Sequence, residues 1–293
     1  MKNLVHNALK YYLRYFPISR GKTRIFSSAW KPLSFGEYRR RTTLLQAGVK
    51  LNCDLTKFLQ RHLYFFGSYE KEYCDCWMKL ARQATTIFDV GANIGLYSLL
   101  AGAANPQARV HAFEPTPEIA EAFRENIRLN NMRNILVNAL GVGDRCGKAF
   151  LQRFMGGDDI YDGMNFVSGQ KLASEDIPLT VVTIEDYCRQ NGIARIDLIK
   201  MDIEGGEYKA LLGAKNLLAS REVGCIFLEL VERHARRSGH STVEIKRLLS
   251  DAGYQIFALR SGKLSPVPIE KIHDGQGDNV IASTPDFQRR VEL

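Results

Sequence analysis

The chain has 293 residues, 45% of them hydrophobic and 25% charged, with a formal net charge of +8; this is ample for one α/β domain with a core of its own and some further elements. The longest uncharged apolar run, Ile94–Ala104, is too short to cross a bilayer, and Met1-Lys2-Asn3-Leu4 opens no secretory signal. Six cysteines are scattered, and Cys74-x-Cys76 has no second Cys/His pair at zinc-finger spacing, so they read as thiols of a reducing, cytoplasmic setting.

Residues 1–84 differ from the rest and are expected to form a basic, largely helical extension. Leu4-Val5, Ala8-Leu9, Tyr12-Leu13 and Phe16 recur at helical spacing with Lys10 and Arg14 between them, the pattern of an amphipathic helix. Such a helix packs on its own domain or lies on a membrane surface. Lys2, Lys10, Arg14, Arg20, Lys22, Arg24, Lys31, Arg39, Arg40 and Arg41 crowd the first 41 positions against the single acid Glu37. That charge suits anionic lipid or an acidic substrate, so peripheral membrane contact is an expectation of the sequence. Nothing resembling a nucleic-acid module accompanies it, and nucleic acid is not an expected partner. Further on, Leu59–Gly67 reads as a connector and Tyr69–Arg82 as a helix.

From residue 85 to 293 short apolar strands alternate with helical stretches. Ile87–Val90 is a buried strand, Gly91–Gly95 a turn, and Leu96–Gly102 the start of a helix. Val110–Phe113 is the second strand and ends at Glu114; Thr116 then caps a helix with Pro117 at its first position. Ile135–Leu140, Ile196–Met201, Cys225–Leu230, Tyr254–Leu259 and Asn279–Ser283 complete the strands. Thr183 caps a short helix, and Ser241-x-x-Glu244 is a capping box before another that ends at Gly253. This alternation implies a mostly parallel sheet covered on both faces. A long insert, about residues 144–195, holds Gly156-Gly157-Asp158-Asp159, Tyr161-Asp162-Gly163-Met164-Asn165 and a strand-like Leu179–Val182, and is expected to cover a substrate.

In open α/β sheets ligands bind beyond the carboxyl ends of the strands, where strand order reverses. The first strand runs straight into Asp89-Val90-Gly91-Ala92-Asn93-Ile94-Gly95. Gly91 and Gly95 permit a tight turn and close approach of a ligand, Asn93 tolerates unusual backbone angles, and the next helix offers its positive end. Glu114 stands about 20 residues on, where an acid grips ribose hydroxyls. Asp89 would repel a pyrophosphate, so it favours a ligand with a positive centre, a sulfonium or ammonium, over a nicotinamide dinucleotide.

A second constellation is Lys200-Met201-Asp202-Ile203-Glu204-Gly205-Gly206-Glu207. Asp202 and Glu204, two apart at the end of an extended run, point to one side beside the first strand. Two close carboxylates suit a general base or a divalent-cation site, or they cap the following helix together with Glu207. Glu229, ending the fifth strand, aims at the same rim, with His234 or Arg233 as its partner. His111 reads as a packed core residue, and His234 and His240 as loop residues able to act as bases.

Together these stretches resemble the FkbM family of class I methyltransferases. The resemblance rests on Phe88–Gly95, Phe113-Glu114-Pro115, Asn138-Ala139-Leu140-Gly141, Val182–Tyr187 and, most selectively, Ile196–Glu207, with Gly67-Ser68-Tyr69-Glu70 as lead-in. It covers about residues 67–285 and departs at Gly206, where the family more often has alanine. It implies a Rossmann-like fold with a seven-stranded, mostly parallel sheet, helices on both faces and a reversed last strand. It further implies S-adenosylmethionine as methyl donor and O-methylation of a sugar, glycan or secondary metabolite. Carried across, Asp89, Gly91, Asn93 and Gly95 would hold the amino-acid end of the donor and Glu114 its ribose. Gly143 or Asp144 would lie near adenine, and Asp202 and Glu204 would face the methyl group and the acceptor. The alternatives are a nicotinamide-dependent oxidoreductase and a non-catalytic S-adenosylmethionine-binding protein acting through its N-terminal region. A requirement for metal is left open.

Overall fold

The computed structural model describes residues 2–16, 40–152, 166–168, 176–268 and 278–291, with single residues 21, 22, 24, 26 and 173 between them. The Gly156–Asp159 and Tyr161–Asn165 motifs of the insert lie outside the described residues. The chain divides into two compact units, one ending at Lys71 and the other beginning at Glu72.

The first unit contains helix α1 (Lys2–Tyr15), strands β1 (Arg40–Leu44) and β2 (Lys50–Asp54), and helix α2 (Phe58–Phe66). The expected amphipathic helix is α1: Leu13 is buried, Lys10 stands 3.9 Å over the Tyr64 ring, and Arg14 donates to Thr43 Oγ1 at 3.0 Å. Two features differ from the sequence reading. The stretch read as a connector is α2, whose Leu63 and Phe65 are buried and which closes on Gly67 at φ 77°. The extension also carries an antiparallel hairpin, β1 on β2. Its β1 presents one buried residue, Thr43, so it has no apolar alternation to reveal it.

The second unit opens with α3 (Lys71–Ala81) and then alternates. In order come β3 (Thr86–Val90), α4 (Leu96–Ala104), β4 (Arg109–Phe113), α5 (Pro117–Leu129), β5 (Ile135–Asn138) and β6 (Gly141–Val142). Then follow β7 (Gly147–Gln152), β8 (Phe166–Ser168), β9 (Ile177–Val182), α6 (Ile184–Asn191) and β10 (Ile196–Met201). The chain ends through α7 (Glu207–Leu212), α8 (Lys215–Ala219), β11 (Val223–Leu230), α9 (Glu232–Arg237), α10 (Thr242–Asp251), β12 (Gln255–Arg260), β13 (Lys263–Pro266), β14 (Asp278–Ser283) and α11 (Pro285–Val291).

The large sheet runs β13-β12-β14-β11-β10-β3-β4-β5. All seven expected strands are present, and β14 is reversed between β11 and β12. The sheet has eight strands rather than seven because β13 folds back on β12. Between them Ser261 and Gly262 both take positive φ, 50° and 73°, the two-residue turn that matches the twist of a hairpin.

Parallel registers fix the rim. Val90 pairs with Phe113 and Met201, Phe113 with Asn138, and Met201 with Leu228. The residues that follow, Gly91, Glu114, Asp202 and Glu229, therefore emerge along one edge. The central strand β10 is buried throughout, and β3 is buried from Ile87 on. One face packs Phe88, Val90, Ile199 and Met201 against Tyr187, Leu211 and Ile245. On the other, Trp77 of α3 meets Tyr97 and Phe227 edge-on and donates to the Tyr97 carbonyl at 2.9 Å.

The insert is more regular than its sequence suggests. Strands β7, β8 and β9 form with β6 a separate sheet in the order β6-β9-β7-β8, around Ala149, Leu151, Leu179 and Val181. The Ser241–Glu244 capping box is complete, and Thr183 accepts from Asp186 N–H. Thr116 occupies the cap position of α5 without a capping side-chain bond; its own N–H goes to Glu114 Oε1 at 2.9 Å.

Candidate active site

Strand order reverses between β3 and β10, and the turn after β3 lies there. Gly91 N–H and Ala92 N–H both donate to the Phe113 carbonyl, at 2.9 and 3.0 Å, folding the turn over the end of β4. Gly91, Asn93 and Gly95 have φ of 83°, 50° and 94°. Asn93 supports its left-handed geometry locally, its Oδ1 accepting from Ile94 N–H at 2.8 Å.

The glycines answer to the protein more directly than to a ligand. A Cβ on Gly91 would meet the Asp202 carbonyl oxygen at 2.0 Å, and one on Gly95 would meet the Phe123 ring at 2.0 Å. Gly91 thus lets the turns after β3 and β10 touch, which Asp202 N–H confirms by donating to the Val90 carbonyl at 3.0 Å.

Glu114 binds the turn from the end of β4. Its Oε2 accepts from Asn93 N–H at 3.1 Å and its Oε1 from Thr116 N–H at 2.9 Å. Burial raises its carboxyl above the usual range, and these bonds offset part of the rise. Asp89 is only 2% exposed. Its Oδ2 accepts from both Ser98 N–H (2.9 Å) and Ser98 Oγ (2.6 Å), tying β3 to the first turn of α4. Burial pushes its carboxyl up to about 6 against the Ser98 hydrogen bonds and the positive charge of Lys200.

Lys200 is the residue the sequence reading passed over. It lies opposite Asp89 and Phe227 in the β3-β10-β11 register, and its side chain is almost fully buried. Nζ sits 4.8 Å from the centre of the Tyr97 ring and donates to Asp202 Oδ2 at 3.2 Å. Its signal was a lysine inside a strand that is otherwise core.

Asp202 and Glu204 depart from the expected geometry. β10 ends at Met201, and Glu204 (φ 56°) and Gly205 (φ 104°) bend the chain, so the two acids are not neighbours on an extended run. Asp202 pairs with Lys200. Burial works against its ionisation, but the positive charge of Lys200, with Glu229 beside it, outweighs burial and holds the carboxyl below the usual range. Glu229 is driven the opposite way, first by the negative charge of Asp202 and then by burial.

Glu204 turns to His234, whose Nδ1 is 2.7 Å from Glu204 Oε2. Arg233 Nε donates to His234 Nε2 at 3.0 Å, so a neutral His234 carries its proton on Nδ1. His234 therefore serves Glu204, not Glu229, and it is buried on α9 rather than in a loop. Arg237 also donates to the Glu204 carbonyl at 3.1 Å.

The capping alternative for the two acids is not borne out. Gly206 is the cap residue of α7, without a side-chain bond, and Glu207 reaches back to Ile203 N–H at 2.9 Å. Burial lifts the Glu207 carboxyl to about 7. The divalent-cation alternative also lacks support: among the described residues no group of three or more His, Cys, Asp and Glu side chains is arranged for a metal.

Gly143 and Asp144 sit apart from these contacts. Gly143 continues the small sheet, donating to the Val182 carbonyl at 3.0 Å, and its own carbonyl lies where a Cβ on Gly213 would stand. His111 is packed as expected, against Phe88 and Tyr187, with Nδ1 2.9 Å from the Tyr187 hydroxyl.

Comparison with known proteins places this rim in a family. The model of the Methyltransferase FkbM domain matches residues 89–256, more than half of the chain. The 31-O-demethyl-FK506 methyltransferase FkbM of Streptomyces tacrolimicus is 27% identical over 191 residues, 57% of this chain and 71% of that protein. The 2-O-methyltransferase NoeI of Sinorhizobium fredii is 30% identical over 151 residues, 47% of this chain and 61% of NoeI. The hexuronic acid methyltransferase AglP of Haloferax volcanii is 24% identical over 191 residues, 62% of this chain and 69% of AglP. The family match opens on Asp89 and contains Glu114, Lys200, Asp202 and Glu229, the whole carboxyl-rich rim, and on that span the chain belongs to the FkbM family of methyltransferases.

Proposed function

We propose that this methyltransferase moves a methyl group from S-adenosylmethionine to a hydroxyl oxygen of a small-molecule or glycan acceptor. The observation that carries this reading is the meeting of the Asp89–Gly95 turn, Glu114 and Asp202 at the reversal of strand order. These residues fit the donor. Glu114 is an ionisable carboxylate at the end of β4 beside this turn, the residue type that binds a ribose diol. Asp89 and Asp202 bring negative charge to the same rim, which favours a sulfonium over a pyrophosphate and speaks against the nicotinamide alternative.

In this reading Asp89, Gly91, Asn93 and Gly95 hold the amino-acid end, Glu114 the ribose, and Gly143 or Asp144 the adenine side. When bound, S-adenosylmethionine supplies a methyl group on a positively charged sulfur. The protein positions the acceptor oxygen, a contribution on the order of 7–11 kcal/mol at best. Asp202 takes the proton of the acceptor hydroxyl, and Glu204, held by His234, orients the acceptor. Covering the acceptor is the role proposed for the insert of residues 144–195, of which residues 153–165, 169–172 and 174–175 lie outside the described residues. Oxygen as the acceptor atom is supported by the relatives, whose names specify 31-O and 2-O positions, and a hexuronic acid supports a sugar.

The test is Asp202→Asn, assayed for conversion of S-adenosylmethionine with a panel of sugars and hydroxylated small molecules. Cofactor binding should persist while turnover drops on the order of 10²–10⁴-fold, the span of a lost general base. Full turnover with normal binding would refute the assignment of Asp202.

A further inference from the structure

Lys200 is a cation placed where β10 otherwise buries apolar side chains. Its register partners are Asp89 on β3 and Phe227 on β11, so the three side chains share one face of the sheet. Trp77 of α3 and Tyr97 of α4 pack on that face: Trp77 stands edge-on to both Tyr97 (5.6 Å) and Phe227 (5.3 Å). Its indole N–H donates to the Tyr97 carbonyl at 2.9 Å, which fixes the start of α4 against α3. The Lys200 side chain is only 5% exposed, and its Nζ lies 4.8 Å from the centre of the Tyr97 ring. At that distance the ring attracts an ammonium. Nζ also donates to Asp202 Oδ2 at 3.2 Å. The Asp202 side chain is 38% exposed, so this ion pair runs from the core to the open rim. The other ionisable groups near Asp202 are Asp89 on β3, Glu229 on β11, His234 on α9, and Glu204 and Glu207 further along its own stretch. Negative charge on those acids favours a protonated Asp202, and the Lys200 ammonium opposes it.

We propose that Lys200 is a positioning residue of this site, an ammonium anchored beside Tyr97 that holds the Asp202 carboxylate charged and aimed at the acceptor hydroxyl. This deepens the O-methyltransfer reading and rests on it. In the step, the hydroxyl O–H bond breaks and its electron pair stays on the acceptor oxygen. That oxygen bonds the methyl carbon as the carbon–sulfur bond breaks and leaves its pair on sulfur. The proton forms a new O–H bond on Asp202, which later returns it to water. Lys200 neither gives nor takes a proton; it acts through Asp202. Its buried stem fixes where the ammonium stands, and the ammonium fixes Oδ2 of the base.

The experiment follows the side-chain carboxyl carbons of aspartate by NMR against pH in the full chain, the Asp202 signal being the one that Asp202→Asn removes. Wild type is compared with Lys200→Met, which keeps the stem and removes the charge, and with Lys200→Arg, which keeps the charge. S-adenosylmethionine binding is measured by calorimetry on the same samples. The Asp202 midpoint should rise by about 1–3 pH units in Lys200→Met, the span of a lost neighbouring cation, and return toward wild type in Lys200→Arg. If Lys200→Met does not fold, Lys200→Gln, which can still donate to Asp202 without the charge, should show the same rise. A midpoint that stays put in the folded neutral variant overturns the role of Lys200 and leaves the O-methyltransfer reading standing. A midpoint raised equally in Lys200→Arg overturns it as well, because lost packing and not lost charge would then be the cause. Wild type that binds no S-adenosylmethionine overturns the O-methyltransfer reading, and the proposed step with it, whatever the midpoints do.

Discussion

At the scale of single residues, Asp89 joins a structural bond to the electrostatics proposed for the donor's site. Its Oδ2 is saturated by Ser98, which fixes the start of α4, while the charge it carries depends on pH because burial pushes the carboxyl up to about 6. A bound sulfonium favours the ionised form, so protons and cofactor compete for the site. Affinity for S-adenosylmethionine should therefore be steady above about pH 7 and fall as the pH drops through 6. Asp89→Asn, which keeps an oxygen for Ser98, should bind weakly at every pH and lose this dependence. Calorimetric titration between pH 5 and 8 checks it; an affinity equally flat in both proteins would remove Asp89 from the ligand's electrostatics.

At the scale of elements, periodicity made the large sheet legible, and turn chemistry marks where it was not. Ile87–Val90 and Ile196–Met201 stood out because their strands are buried on both faces and read as continuous apolar runs. The eighth strand, Lys263–Pro266, is short and half-exposed, and its only signal was Ser261-Gly262. The acids of the rim stood out in the sequence by identity more than by geometry. Asp202 and Glu204 share one motif, but the bend at Glu204–Gly205 separates them and turns Glu204 to His234, which sits on another element. No spacing rule along the chain reports such partners.

Asp197, at the opposite end of β10, shows what the same strand does for stability. Its carboxylate accepts from Thr85 N–H (2.7 Å), Thr86 N–H (3.1 Å) and Arg290 (2.6 Å), joining β3 and α11 to the centre of the sheet. Burial opposes its ionisation, but the Arg290 and threonine bonds prevail and hold its carboxyl below the usual value. A folded-state value below the unfolded one gives stability that is complete above the unfolded value, about 3.9, and lost as pH falls through the folded one. Asp197→Ala should cost about 2 kcal/mol at pH 7, as for lost hydrogen bonds to a charged group, and progressively less in acid. Urea unfolding at pH 7 and near pH 3 checks this, and an equal loss at both would show that packing, not charge, is what the mutation removes.

At the scale of the whole molecule, the carboxyl-rich rim belongs to the unit after Lys71, while the basic excess lies in the first 41 residues. Among the described residues no helix is long and apolar enough to cross a membrane. The two uses foreseen for α1 are not exclusive. One side buries Leu13 and seats Lys10 on Tyr64, while Tyr11 and Tyr15, 68% and 63% exposed, lie tilted against each other at 5.3 Å and Phe16 is 44% exposed. Exposed aromatic rings in a segment whose sequence is rich in basic residues match the interface of an anionic bilayer, where each basic residue near the surface contributes about 1 kcal/mol. The proposed peripheral contact then has two separable parts. The full chain should sediment with vesicles containing phosphatidylserine and not with phosphatidylcholine alone, and raising the salt should release it. Replacing Tyr11 and Tyr15 by serine should weaken binding at fixed salt without altering its salt dependence, because the rings insert while the cations only attract. Equal binding to neutral and anionic vesicles, or none to either, would leave the basic segment as a solvated face and return α1 to packing alone.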